Sequence, residues 1–156
     1  MESGGDMALF AKRATTSAVE RIDAVINDSF EGFEFNGEDT WVGRNGSTVV
    51  FIRADSVSET SALVHIDAVV AHDVAITPNL CYDLLVNHRY RVGRWEVEVG
   101  DPVSGRGAIM LGTDIIDHNG SMEPSEISIA IGLIADSADE VDDDLAAKYG
   151  GRTAVG

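Results

Sequence analysis

The chain has 156 residues, 11 Lys and Arg against 27 Asp and Glu, a formal charge of −16 and 44% hydrophobic residues. That length fits one domain burying roughly 68 to 70% of the surface its unfolded chain exposes, so a core needs no staple. The charge repels phosphate backbones and anionic lipid and favours solubility or a basic partner. The single Cys81 excludes an intrachain disulfide, and the lack of a charged-then-apolar leader or a long apolar run leads the sequence to be read as cytoplasmic and off the membrane.

The chain opens loosely at Gly4 and Gly5, and a helix follows, starting either near Asp6 or at Ser17, whose spacing to Glu20 is that of a capping box. Ala18, Ile22, Val25 and Ile26 form one apolar stripe of that helix, which needs a sheet beneath it. Short aromatic pieces at Phe33, Phe35 and Trp41 lead to Asn45-Gly46, a pair that tolerates the positive φ of a tight hairpin turn. The two most regular strand signals come next, Ser47 to Ala54 and Ser61 to Val70. In the second, Ala62, Val64, Ile66, Ala68 and Val70 share a core face, while Ser61, Leu63, His65, Asp67 and Val69 share a mixed one. In the first, Val49, Val50, Phe51 and Ile52 are apolar on both faces, the signature of a central strand covered on both sides.

Thr77-Pro78 starts a short helix carrying Leu80, Cys81, Leu84, Leu85 and His88. Trp95, Val97 and Val99 alternate with Arg94, Glu96 and Glu98 in a half-buried strand, and Gly107 to Ile116 returns as another. The longest helix opens at Pro124, carries Ile127, Ile131, Ile134, Ala138, Val141 and Leu145, and stops at Gly150-Gly151. Six acids in its second half oppose the helix dipole, so packing must hold that end. The order is helix, three strands, helix, two strands, helix. It predicts an α+β fold with an antiparallel sheet of about five strands, one domain over 1–151 and a disordered tail over 152–156. The second sheet face also has apolar content, which a helix, a second copy or a bound segment would cover.

Signals for chemistry are sparse. Asp117, Asn119, Gly120 and Glu126 match four positions of a calcium loop, but Ile115 at its first position cannot coordinate, and the stretch reads better as a capped turn. Asp142, Asp143 and Asp144 splay around a helix and read as a solvated face. His65, His72, His88 and His118 have no zinc spacing, and no cofactor is expected. Two further readings stay open: an enzyme in which Asp67 tunes His65 as a general base, and a single-strand nucleic-acid patch at Arg89, Arg91, Arg94 and Trp95, opposed by the overall negative field.

Thr48-Val49-Val50-Phe51-Ile52, Val74-Ala75-Ile76-Thr77-Pro78 and Gly93-Arg94-Trp95, taken in order, resemble the YbjN and type III secretion chaperone-like superfamily. Ile115-Ile116, the helix start Met122-Glu123-Pro124-Ser125-Glu126-Ile127 and the stretch from Ala138 to Gly151 extend the likeness, with Glu123 standing where aspartate is expected. The resemblance implies a bacterial cytosolic chaperone or adaptor without catalysis, acting as a homodimer that holds a client segment on an apolar surface. Leu63, Val69, Ile109, Leu111, Ile131 and Ile134 are its candidate contacts, with ordinary core as the competing reading of each.

Overall fold

The computed structural model describes residues 4–88 and 93–155, with side chains from residue 16 onward except 101. The elements are α1 (Gly4–Ser29), β1 (Glu34–Phe35), β2 (Thr40–Asn45), β3 (Thr48–Ser58), β4 (Ser61–Ala75), α2 (Pro78–Val86), β5 (Arg94–Asp101), β6 (Arg106–His118), α3 (Pro124–Tyr149) and β7 (Arg152–Thr153). The strands form one sheet in the order β1-β2-β3-β4-β6-β5, with β7 paired to β4. This is the expected α+β arrangement, with seven strands instead of about five. The two additions, β1 and β7, are only two residues long, too short to leave a period-two signal.

Local chemistry sets the boundaries. Thr77 is extended, and its hydroxyl accepts from the Leu80 N–H at 3.2 Å, with Pro78 entering the first turn of α2. Glu126 reaches back to accept from the Glu123 N–H at 2.8 Å and so opens α3. The Asn45-Gly46 turn forms as expected, with Gly46 at φ +55°.

The chain divides into two compact units, Met1–Gly43 with Phe51–Ile66 and Asp114–Ile131, and Arg44–Val50 with Asp67–Thr113 and Gly132–Gly156. In the first, the α1 stripe of Ala18, Ile22, Val25 and Ile26 is buried as predicted, with Trp41, Ile52 and Ile66. The Trp41 indole donates to Asp23 at 3.3 Å, and Arg21 pairs with the buried Asp117, tying α1 to β2 and to β6. In the second, Val70, Leu80, Leu84, Ile109, Leu111 and Ile134 are buried.

Three expectations are corrected. β3 is central, but it is not covered on both sides: Ile52 has no exposed surface while Phe51 keeps 37% of its own. Asp142 is not solvated. It is 1% exposed, accepting from the Ser47 hydroxyl at 2.5 Å and the Asp143 N–H at 2.6 Å, while Asp139 accepts from the Ser47 N–H at 2.9 Å. The acids that oppose the helix dipole thereby fasten the β2–β3 turn. Finally, Arg152 and Thr153 are strand, pairing with His72 and Ala71. Arg106 clamps this return by donating to Asp73 and, at 2.6 Å, to the Gly150 carbonyl; a Cβ on Gly151 would lie 2.7 Å from the His72 carbonyl, so only glycine fits.

Candidate functional site

Alternation along the long strands buries one set of side chains and leaves the other on an uncovered face. In the first unit that face carries Phe51, Arg53, Asp55 and Val57 from β3, Leu63 and His65 from β4, and Asp114 and Ile116 from β6. His65 lies at its centre. Its Nδ1 is 2.7 Å from Asp114 and its Nε2 is 3.2 Å from Asp55. Arg53 grips Asp55 through Nε at 3.0 Å and Nη2 at 2.8 Å. Around this row of polar side chains lie apolar ones open to solvent, with Ile116 69% and Val57 63% exposed. In the second unit the uncovered face carries half-buried Val69 and Met110, with Arg94 donating to Glu96 at 2.5 Å and lying 3.5 Å from Asp67.

Of the six candidate contacts, Leu63 and Val69 are half-buried on this face. Ile109, Leu111, Ile131 and Ile134 have at most 1% exposure and are core, because their strand or helix phase turns them away from solvent; a fully enclosed side chain offers a partner no atoms. Phe51 and Ile116, which are not among the six candidates, also lie on this face. Their signal was present as the opposite phase of the two strands, masked because both faces are apolar.

Other polar groups serve the fold. Asp83 of α2 is nearly buried and accepts from Lys148 at 2.7 Å, Tyr149 at 2.8 Å and Asn87 at 2.6 Å. These donors, Lys148 foremost, hold its carboxyl well below the usual carboxylate range; burial, then the neighbouring Asp83, pushes the Tyr149 phenol up. Asp117 accepts from the Met122 N–H at 3.1 Å, and Asn119 adopts φ +53°, so the calcium-like stretch is a capped turn. Among the described residues no group of three or more His, Cys, Asp or Glu is placed to hold a metal.

The sequence profile of the T3SS (YopN, CesT) and YbjN peptide-binding chaperone 1 family matches residues 16–156. The chain belongs to that family. No curated protein matches the sequence. An uncharacterized protein from Methanothermobacter thermautotrophicus is similar in fold at 9% identity, with a TM-score of 0.54 over 84% of this chain and 98% of that one. A chain of the ExsC–ExsE complex is similar at 11% identity, with a TM-score of 0.53 over 84% of this chain and 95% of that one.

This family member is a non-catalytic peptide-binding chaperone or adaptor. The enzyme reading fails accordingly, and the geometry offers no substitute: the partners of His65 are Asp55 and Asp114, while Asp67 faces Arg94. For the nucleic-acid reading, Arg89 and Arg91 lie outside the described residues. Arg94 is ion-paired, and the Trp95 indole donates to the His88 carbonyl at 2.6 Å.

Proposed function

We propose that this chaperone lays a client segment along the uncovered strand face of the first unit, with Phe51, Leu63 and Ile116 as contacts. The observation that carries the reading is the contrast on one strand between enclosed Ile52 and open Phe51, since a folded monomer rarely leaves large apolar groups unused on a sheet. We further infer that it works as a homodimer in a bacterial cytoplasm. Tyr82, Leu85 and Val86 expose apolar surface on the nine-residue helix α2, which suits a second copy. A lone cysteine suits a reducing compartment, and among the described residues no helix is long and apolar enough to cross a membrane.

The test is a pull-down of the tagged protein from its own cytosol, with native mass spectrometry of what it carries, repeated with Ile116→Ser and Phe51→Ser. The expected result is one polypeptide client at fixed ratio to two copies of the chain, lost from both variants. Unchanged capture by both variants would move the client off this face, and a single copy of the chain in every species would remove the dimer.

A further inference from the structure

The uncovered face of the first unit has a charge character as well as an apolar one. Arg53 is matched by Asp55, which leaves the carboxylate of Asp114 facing His65. The side chains of Asp55 and Asp114 keep 42% and 35% exposure, so both carboxylates present oxygens to solvent beside Phe51, Val57 and Ile116. Both lie within the field of a chain of net charge −16, which raises the local concentration of cations and lowers that of anions.

We propose that the occupant of this face is a cationic, apolar polypeptide segment, one that sets β-branched or aromatic side chains against Phe51, Leu63 and Ile116 and Lys or Arg against Asp55 and Asp114. An acidic segment of equal apolarity is rejected, because it would place like charges over the solvent-facing carboxylates of Asp55 and Asp114. A basic but polar segment gains attraction without burial and is held weakly, as exposed ion pairs are. The proposal deepens the client-holding reading and rests on it.

The test uses the full chain and three fluorescent synthetic peptides of one length: alternating Lys and Val, alternating Glu and Val, and alternating Lys and Ser. Anisotropy titrations should show the Lys/Val peptide binding on the order of tenfold or more tightly than the other two, weakening as salt is raised. Phe51→Ser and Ile116→Ser should each lower that affinity on the order of tenfold, and Asp55→Asn with Asp114→Asn should lower it while flattening the salt dependence. Folding of each variant is checked by its urea midpoint, which these exposed positions should leave nearly unchanged. Equal binding of the Glu/Val peptide overturns the charge assignment, and equal binding of the Lys/Ser peptide overturns the apolar one. Affinity indifferent to Phe51, Ile116 and both aspartates overturns the location. If the native client is captured through Phe51 and Ile116 while the peptides show no charge preference, this inference falls and the client-holding reading stands. If native capture ignores the face, that reading falls with it.

Discussion

The two sides of β3 and β4 are built from similar residues and stand in opposite conditions. Ile52, Val64 and Ile66 have no exposed surface, while Phe51 on β3 is open and Leu63 and His65 on β4 are half-buried. Hydrophobicity by itself therefore does not mark the core of this chain; the phase of the alternation does. One phase is buried, and the other is half-buried or open to solvent. Ile52→Ala and Phe51→Ala break the comparison most directly. Removing the enclosed Ile52 side chain should cost about 2–5 kcal/mol, the transfer loss together with an unfilled cavity. Truncating Phe51, which keeps 37% of its surface, should cost about 1 kcal/mol. Urea unfolding measures both. Equal losses would mean that the open face is part of the core, and the case for a client site there would end.

The polar groups repeat the contrast. Asp83 is buried under three side-chain donors, whereas Asp55 meets Arg53 in solvent. Asp83→Ala strands the Tyr149 hydroxyl, the Asn87 amide and Lys148, and should cost about 1–3 kcal/mol. Acid sharpens the test. A carboxyl held below its ordinary range in the fold contributes stability fully above the unfolded value, near about pH 4, and loses it as pH falls toward the lower folded value. The urea midpoints of the native chain and of Asp83→Asn should therefore converge as pH is lowered from about 4. A gap that stays constant down the acid limb would show that Asp83 holds α2 by shape and not by charge.

Between these cases lies the end of β4, where backbone covers backbone. Gly151→Ala would drive a Cβ against the His72 carbonyl at 2.7 Å, and should cost about 1–2 kcal/mol through overpacking or release of β7. Hydrogen exchange at the strand amides of the β4–β7 pairing separates the two, since release of β7 exposes them and overpacking does not.

Much of this was written in the sequence. The stripe of Ala18, Ile22, Val25 and Ile26, the cap at Thr77-Pro78 and the span of α3 to Tyr149 follow from side-chain period and end chemistry, which are local. What escaped depends on tertiary partners. Asp142 looked solvated because its burial is set by Ser47, 95 residues away in sequence. β7 was read as a tail because its pairing depends on Arg106 reaching Gly150. Buried Ile109 and Leu111 and open Phe51 and Ile116 are not distinguished by pattern, because a strand apolar on both faces does not say which one is covered.

The smallest expected effect tests the site most cleanly. Arg53 and Asp55 form a bidentate contact, with half of the arginine side chain in solvent, and such exposed pairs are worth about 0–1 kcal/mol. Arg53→Ala should leave the urea midpoint nearly unchanged. It should, however, remove the guanidinium that meets Asp55 on this face and leave that carboxylate against the His65 ring. If the face takes a cationic segment, Arg53→Ala will strengthen binding of the Lys/Val peptide and steepen its salt dependence, because the incoming cation inherits the position Arg53 occupied. A variant that folds as well as the native chain and binds this peptide more weakly would make Arg53 a client contact in its own right and reverse the sign assigned to the surface.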